Sequence, residues 1–411
     1  MSDLTNIKNK IFNDPLYGFI SIHRGIIYDV IEHPWFQRLR RINQLGLTNV
    51  VYTGANHTRF QHTLGAYHLM TQAIAVIRQK GHVVTDKEAE GVYLAILLHD
   101  IGHGPFSHTL ENSIIEGVSH EDISIQFMKA LSKEFNGALD LAIEIFTDTY
   151  PKTYLHQLVS SQLDMDRLDY LMRDSFFTGV SEGVVGSERI IQMLDVSDGN
   201  LVIEAKGIYS IEKFIISRRL MYWQVYLHKT VLSAENLLVR VMNRAAQLTR
   251  EGKELFASPA LLFFMKSRIS KSDFENNPEI LKLFSQLDDF DVISAIKVWQ
   301  NSEDKVLSLL AQKLIKRQLL KVKFSDQAFS EDLIAEKQKE AASILNLNRE
   351  EAKLFVLTGK VENRAFKPTS EHIDILHKDG SVRHIGEDAA LLNISVLSEP
   401  VVKHYLCFPV S

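Results

Sequence analysis

Hydrophobic residues in the first 250 positions recur mostly at helical spacing. From His62 to Lys80 they return every three or four positions, and Gly81 is a natural C-terminal stop. Thr85-Asp-Lys-Glu88 has the form of a capping box, and it opens a predicted helix that runs to His99-Asp100 before glycines and a proline interrupt it. Two longer helices are predicted further on, over about Thr153–Phe177 and Ile211–Arg250.

The pattern changes towards the C-terminus. Ser270–Asn348 is charged and helical, whereas the segment after Lys353 contains short strand-like apolar runs, and Lys378-Asp-Gly380 predicts a hairpin turn. We therefore predict a mainly α protein, with a helical core over residues 1–250 and a smaller α+β lobe over residues 251–411. The predicted strands are Leu354–Leu357, His372–Leu376 and Asn393–Leu397.

Composition narrows the class of protein. An apolar fraction of 45% in 411 residues is enough for a real core, and a net charge of −5 argues against wholesale coating of nucleic acid. The single cysteine, Cys407, excludes an internal disulfide and a thiolate zinc cluster. No apolar run approaches the ~18 residues that a membrane span needs. We expect a cytoplasmic protein with no membrane partner.

Histidine is unevenly distributed, and this points to chemistry. Half of the 16 histidines fall between Asn56 and Glu121, and imidazole is both the commonest metal ligand and the commonest acid or base near neutral pH. His99-Asp100 ends one predicted helix, His62 begins another, and Asp166 lies on a third in a stripe that starts with Leu163. An inward-facing carboxylate needs a partner, and a divalent cation held by His62, His99, Asp100 and Asp166 would supply one.

Each of these residues also has a simpler interpretation. Asp166 could pair with Arg167 or Arg173, and His62 could be a satisfied core histidine. The remaining histidines could form a surface loop. The ordered set of His, His-Asp and Asp on successive helices favours the metal site over these alternatives.

That ordered set, with the sequence around it, resembles a known family. It is the signature of the HD phosphohydrolase superfamily, and the match over about Lys10–Lys229 is similar to the deoxynucleoside triphosphate (dNTP) triphosphohydrolases. The motifs that carry it are Asn13-Asp-Pro-Leu-Tyr-Gly18, Trp35-Phe-Gln-Arg-Leu-Arg40, Gln44-Leu-Gly46, Arg59-Phe-Gln-His62, His99-Asp-Ile-Gly-His-Gly-Pro-Phe-Ser-His108 and Leu163-Asp-Met-Asp-Arg-Leu-Asp-Tyr170.

The resemblance implies a catalytic site in an HD-domain helical core. The divalent metal (Mn, Mg, Fe or Zn) would be held by His62, His99, Asp100 and Asp166. Water attacks the α-phosphorus in this family, which releases a deoxynucleoside and tripolyphosphate. His108 would donate a proton to the leaving 5′-oxygen and Glu111 would orient it, with His103 and His120 along the phosphate path.

The resemblance also implies which residues bind the dNTP substrate. The ring of Tyr226 would pack under the sugar and leave no space for a 2′-hydroxyl, which rejects ribonucleotides by steric clash. Gln44 and Asp174 would hydrogen-bond the 3′-hydroxyl, and Tyr170 would close the pocket near the phosphates. The expected phosphate contacts are Arg59, Arg167 and Arg218.

A second nucleotide site is implied at a subunit interface. It would bind an activating nucleotide and couple to assembly of a homo-oligomer, for which we expect a tetramer. The same charged residues could instead form a solvated helix face. The residues of this site would be Lys10, Asn13, Glu32, Gln37, Arg40, His228 and Lys229.

The function predicted from sequence is hydrolysis of dNTPs, with dGTP as a candidate preferred substrate. The alternative within enzymes is another HD-domain nucleotide phosphohydrolase, either a nucleotidase or a phosphodiesterase. A nucleotide-sensing or nucleic-acid-binding module is the non-enzyme alternative, and it would require a missing ligand or acid. Single-stranded nucleic acid stays open as a secondary ligand, although no basic run in the sequence supports it.

Overall fold

The computed structural model of the protein describes residues 9–111, 115, 117–363, 373–388 and 401–410. Helices dominate it, and three small sheets lie beside them. The helices of the first half are α1 (Ile26–Glu32), α2 (Pro34–Gln37), α3 (Arg59–Gln79), α4 (Asp86–Leu98), α5 (His120–Glu134), α6 (Asp140–Phe146), α7 (Thr153–Val159), α8 (Met165–Thr178) and α9 (Ser187–Gln192).

The second half continues the helical pattern and ends in mixed structure. A π-helical turn over Tyr222–Tyr226 separates two long helices. These helices and those that follow are α10 (Ile208–Met221), α11 (Lys229–Arg250), α12 (Pro259–Lys266), α13 (Lys271–Asn276), α14 (Pro278–Phe284), α15 (Asp289–Trp299), α16 (Lys305–Ile315), α17 (Glu331–Leu345), α18 (Arg349–Lys353) and α19 (Ile385–Asp388).

The strands form three sheets. An antiparallel hairpin joins β1 to β2, a four-stranded sheet has the order β3-β4-β7-β8, and a three-stranded antiparallel sheet has the order β5-β9-β6. The parallel pairing of β4 with β7 ties the region after residue 350 to the first half. The strands are β1 (Lys10–Asp14), β2 (Gly18–Ile22), β3 (Leu194–Ser197), β4 (Asn200–Glu204), β5 (Lys321–Ser325), β6 (Leu357–Asn363), β7 (Asp374–Leu376), β8 (Val382–His384) and β9 (Val401–Phe408).

The main hydrophobic core is built around α3, which packs against α4 and α8. Capping boxes start two of these helices: Thr58 with Gln61 begins α3, and Thr85 with Glu88 begins α4 as the sequence predicts. The core extends without a break into α14, α15 and α16, and a small second cluster lies under β9. The expected division at residue 250 stays a prediction.

Several predicted elements differ from the structure. The helix expected over Thr153–Phe177 is two helices, because Asp164 accepts a hydrogen bond from the Arg167 amide at 2.7 Å and starts α8 afresh. The helix expected over Ile211–Arg250 is interrupted by the π-helical turn and by His228, which caps α11.

The C-terminal predictions are confirmed in part. The turn at Lys378-Asp-Gly380 joins β7 to β8 as predicted, and the strand expected at His372–Leu376 is β7. The run Leu354–Leu357 is mostly helix end and turn, so that β6 begins at Leu357. The strand predicted at Asn393–Leu397 lies outside the described residues. Within the described part of the chain, the helices are too short or too polar to cross a lipid bilayer.

Candidate active site

Three helices bring the four predicted metal ligands together. His62 lies in the first turn of α3, His99 and Asp100 follow the last turn of α4, and Asp166 lies in the first turn of α8. Nε2 of His62 lies 3.0 Å from Oδ1 of Asp166 and 3.8 Å from Oδ2 of Asp100. Nε2 of His99 lies 3.4 Å from Oδ1 of Asp100 and 3.5 Å from Oδ1 of Asp166.

Hydrogen bonds at the opposite ring nitrogens fix the tautomers of the two histidines. Nδ1 of His99 is 2.6 Å from the carbonyl of Ile96, which can only accept, so Nδ1 carries the proton. Nδ1 of His62 donates to the Asp169 carboxylate at 2.7 Å. In the neutral rings, each Nε2 therefore presents a lone pair towards Asp100 and Asp166, and both atoms are buried without a hydrogen bond.

A divalent cation fits this donor set. Two imidazole lone pairs and two carboxylates are ligands that first-row divalent metals prefer, and a buried group of this kind requires positive charge. In the ion-free protein a proton on His62 supplies this positive charge. Burial favours the neutral imidazole of His62, but Asp166 and Asp169 together raise its pKa to about 10. Burial raises the pKa of Asp166, but His62 and His99 lower it by a larger amount.

Asp169 and Arg173 form a rigid support behind His62. The Arg173 guanidinium donates to both Asp169 oxygens, at 2.9 and 3.0 Å, and to Asp14 at 2.8 Å, and the side chains of Asp169 and Arg173 are fully buried. Gly65 makes room for this pair, because a Cβ at position 65 would lie 2.0 Å from Oδ1 of Asp169. A carboxylate that orients a ligating histidine is a common second layer of metal sites.

A second group of histidines stands beside the metal ligands. Glu111 bridges two of them, because its carboxylate lies 2.8 Å from Nδ1 of His120 and 3.2 Å from Nδ1 of His108. Burial acts against ionisation of Glu111, but the hydrogen bonds from these rings hold its pKa below the ordinary value. The rings of His103 and His120 stack at 3.9 Å with their planes 14° apart.

The two stacked rings of this group are not oriented to share one metal ion. Nitrogen atoms of His103, His108 and His120 come within 4.8 Å of one another. In stacked rings, however, the in-plane lone pairs run nearly parallel and do not converge on one point. Burial and the charge of Arg59 hold the pKa of His103 well below its ordinary value.

The metal ligands and the histidine group open into one cavity of about 1080 Å³. His99, Asp100 and Asp166 lie on its wall, while His62 is buried behind them. The other predicted site residues on the wall are Gln44, Arg59, His103, His108, His120, Arg167, Tyr170, Asp174 and Tyr226. Glu111 lines a small neighbouring cavity.

Comparison with known proteins agrees with this arrangement. Residues 59–174 match the HD domain, and residues 185–258 match the HD associated region. The crystal structure of a phosphohydrolase from Bacteroides thetaiotaomicron is 55% identical, with a TM-score of 0.95 over 98% of this chain and 100% of that one. The chain belongs to the HD-domain phosphohydrolases. This HD phosphohydrolase is also 35% identical to the uncharacterized protein YwfO of Bacillus subtilis, over 76% of this chain and 71% of the relative.

A more distant relative has a more specific name. The deoxynucleoside triphosphate triphosphohydrolase SAMHD1 homolog of Dictyostelium discoideum is 29% identical over 67% of this chain. The HD phosphohydrolase spans 57% of the length of that relative.

In this HD phosphohydrolase, α8 connects the metal ligands to the other end of the cavity. Asp166, Tyr170 and Asp174 follow one another at intervals of four residues, so they share one face of the helix. Asp174 accepts hydrogen bonds from the Tyr226 hydroxyl at 2.7 Å and from Nε2 of His57 at 2.8 Å. Oε1 of Gln44 is buried there without a hydrogen bond, and burial raises the pKa of Tyr170 to about 12.

The three predicted arginines occupy different positions. Arg59 pairs with Asp100 on the cavity wall. Arg167, also on the wall, donates to the carbonyl of Ser161 at 2.5 Å. Arg218 is buried within electrostatic range of Tyr170, and it donates to Oε1 of Gln162 at 3.0 Å. Two of the three therefore lie on the cavity wall, and Arg218 is not among the described residues that line it.

Two of the residues predicted for an activating site, Gln37 and Arg40, contact each other, and β1, which carries two more, packs beside them. Arg40 lies 3.6 Å above the Phe60 ring and donates to Oε1 of Gln37 at 2.7 Å. Phe12 of β1 packs edge-on against the same Phe60 ring. Lys10 and Asn13 are the two on β1, and Glu32 ends α1. The described contacts of His228 are elsewhere, with Tyr52 and the Thr230 amide, and Lys229 is the exposed first residue of α11.

Sequence reasoning missed several residues of the site. Asp169 lies three positions after Asp166 and four before Arg173, and that helical spacing was a usable signal. His57 and Glu235 had no such signal, because their neighbours are distant in sequence. Glu235 lines the cavity, and burial raises the pKa of its carboxyl to about 7.

Proposed function

We propose that this HD phosphohydrolase hydrolyses dNTPs to a deoxynucleoside and tripolyphosphate. The observation that carries the proposal is the single cavity in which α8 presents Asp166 at one point and Asp174, bonded to Tyr226, two turns further on. One ligand could thus touch the metal site with its phosphates and the Asp174–Tyr226 pair with its sugar. The relatives named as dNTP triphosphohydrolases support this substrate class.

The phosphate end of the substrate would lie against the metal ligands. A divalent ion (Mn, Mg, Fe or Zn) held by His62, His99, Asp100 and Asp166 supplies Lewis-acid activation of water and offsets phosphate charge. Arg59 and Arg167 add cationic groups on the same wall, and Arg guanidinium binds phosphate oxygens in pairs. In the proposal Arg218 is the third phosphate contact, although it is not among the described residues that line the cavity.

His108 is the proton donor in this proposal. A departing 5′-alkoxide is a poor leaving group unless it is protonated as the bond breaks. Glu111 holds the Nδ1 side of both His108 and His120, which leaves the Nε2 side of each ring for the substrate. His103, stacked on His120, completes the phosphate path.

The sugar end of the cavity would select deoxyribose in this proposal. Asp174 is held by His57 and Tyr226, and its oxygens keep lone pairs for a 3′-hydroxyl donor. The buried, unpaired Oε1 of Gln44 offers a second acceptor. The Tyr226 ring would occupy the space that a 2′-hydroxyl needs, so ribonucleotides would clash.

A substrate panel tests the proposal. The protein is incubated with Mn²⁺ and each of the four dNTPs, with the matching ribonucleotides and a chelator-treated sample as controls. We expect tripolyphosphate and deoxynucleoside in equal amounts from at least one dNTP, dGTP being the first candidate, and no product after chelation. Orthophosphate or a deoxynucleoside monophosphate as the only product would indicate another HD nucleotidase or phosphodiesterase instead.

The proposal includes activation by a second nucleotide. Lys10, Asn13, Glu32, Gln37 and Arg40 supply the exposed surface for it, and His228 and Lys229 would come from a neighbouring subunit of a homo-oligomer, a tetramer in our proposal. Running the panel with pairs of dNTPs, beside analytical ultracentrifugation, tests this part. Rates that rise with a second dNTP, together with assembly, would support it, whereas additive rates from a monomer would refute it.

A further inference from the structure

The segment between α14 and α15 lies against the loops that carry the active site. Arg38, which is fully buried, donates to the Leu287 carbonyl at 3.0 Å and to the Ile101 carbonyl at 2.6 Å. Arg41 pairs with Asp288 in the same segment. The C-terminal helices therefore contact two stretches of the catalytic core, residues 38–44 and residues 101–106.

Asp289, the first residue of α15, makes two further links. Its Oδ2 accepts a hydrogen bond from the Asn43 amide at 2.9 Å, and its Oδ1 accepts one from the Phe106 amide at 2.8 Å. The side chain is nearly fully buried. One carboxylate thus holds the backbones of two loops that are 63 residues apart in the chain.

The start of α15 does not need this carboxylate. Asp288 caps the helix by accepting from the Phe290 amide at 3.0 Å, and Asp291 completes the capping box by accepting from the Asp288 amide at 2.8 Å. A buried carboxylate without a cation partner is costly, since burial penalises the charge. The capping hydrogen bonds of α15 are therefore made by other residues, and both oxygens of Asp289 accept from the loops.

Each loop carries a residue of the proposed mechanism. Asn43 directly precedes Gln44, which lines the cavity and whose amide donates to the carbonyl of His57, the residue that bonds Asp174. Phe106 lies two residues before His108 and has a φ of +53°, a left-handed conformation that is unfavourable for a bulky residue. The hydrogen bond from its amide to Asp289 helps to hold that conformation.

We propose that Asp289 is a positioning residue for hydrolysis: it fixes the loop of His108 relative to the loop of Gln44. The roles of His108 and Gln44 rest on the proposed function, whereas the attachment of the loops does not. The C-terminal helices thereby act on the geometry of the reaction without touching the substrate.

Asp289→Asn tests the proposal, because the amide keeps one acceptor and turns a donor towards the second loop amide. Asp304→Asn is the matched control: Asp304 caps α16 and pairs with Arg244, and it does not line the active-site cavity. Thermal unfolding verifies that both variants fold. If Asp289→Asn does not fold, Asp289→Glu, which keeps both acceptors, takes its place with smaller expected effects.

The first readout is hydrogen exchange at single amides, which needs no substrate. We expect exchange at Asn43, Phe106 or both to accelerate at least tenfold in Asp289→Asn and to stay unchanged in Asp304→Asn. Unchanged protection at both amides would overturn the attachment itself. A wild-type protein that hydrolyses no dNTP would contradict the proposed function and leave this result standing.

The second readout is a double-mutant cycle with His108→Ala. We expect Asp289→Asn to lower kcat about tenfold with a smaller change in KM, and to lower it less than twofold when His108 is already Ala. Losses that multiply in the double variant, or an unchanged kcat, would show that Asp289 supports the fold alone.

Discussion

Asp169 accepts a hydrogen bond from Nδ1 of His62 at 2.7 Å, and this contact directs Nε2 of His62 towards Asp100 and Asp166. The Asp169 carboxylate is itself held by Arg173, and its pKa is lowered by Arg173 and His62 although burial acts the other way. The candidate metal site thus includes a supporting residue that is not one of the four predicted ligands.

Asp169→Asn is expected to weaken metal affinity. The amide can still accept from His62, but it loses the charge and one of the two Arg173 contacts, and changes of this kind typically cost about 10–100-fold in affinity. A calorimetric titration with Mn²⁺ measures the change in metal affinity. Asp195→Asn is the control. Asp195 also bonds a histidine, because its Oδ1 lies 2.6 Å from Nε2 of His82, and this pair is outside the candidate metal site. Equal affinities in both variants would contradict the role of Asp169.

His99→Ala and Asp166→Ala are each expected to abolish turnover while the helical content by circular dichroism stays nearly intact. Each removes one of four ligands, and the wall residues left behind cannot replace it. His82→Ala, which changes a half-exposed histidine in a different ion pair, should keep wild-type rates. Near-normal turnover in either ligand variant would refute the ligand assignment.

Two substitutions at Tyr226 separate the ring from its hydroxyl. Tyr226→Ala should admit ribonucleotides, so that the dNTP-over-NTP ratio of kcat/KM falls at least about tenfold. Tyr226→Phe keeps the ring but loses the hydrogen bond to Asp174, which is worth about 1 kcal/mol. It should keep the ratio while KM for the dNTP rises several-fold. An unchanged ratio in Tyr226→Ala would remove the steric role.

Glu88 provides a pH-dependent anchor for α4, the helix that ends at the metal ligands. Burial opposes ionisation, but hydrogen bonds from Lys152, Thr85 and Tyr150 lower the pKa of Glu88 to about 2. Because the folded pKa is depressed, its stabilisation is complete above the unfolded pKa of about 4.5 and is lost as the pH falls towards 2. Melting temperatures of wild type and Glu88→Gln should therefore differ most at pH 6, differ less as the pH falls below about 4.5, and converge only near pH 2. A constant difference would contradict this.

The sequence correctly predicts those parts of the secondary structure that depend on residues adjacent in the chain. The capping box Thr85–Glu88 and the turn at Lys378-Asp-Gly380 lie where the pattern predicts them, because adjacent residues determine both. The break in the helix expected over Ile211–Arg250 has a tertiary cause. The π-helical turn places Tyr226 against Asp174 and the Gln224 carbonyl against Tyr52, and neither partner is near in the chain.

In the candidate site, too, residues in local motifs could be predicted from the sequence, whereas residues defined by distant contacts could not. The four predicted metal ligands stand in recognisable motifs, and the structure places their side chains close together. Asp289 had no motif, since its partners Asn43 and Phe106 offer only backbone amides, which any residue carries. Arg218 matched the resemblance in sequence but is not among the described residues that line the cavity, and helical periodicity alone could not predict this.

Anomalous diffraction from crystals of the wild-type protein soaked in Mn²⁺ tests the central claim most directly. The account predicts a strong peak within about 2.0–2.4 Å of Nε2 of His62, Nε2 of His99 and one oxygen each of Asp100 and Asp166. A peak at His103, His108 and His120 in place of this one, or no peak between the four side chains at saturating Mn²⁺, would contradict it.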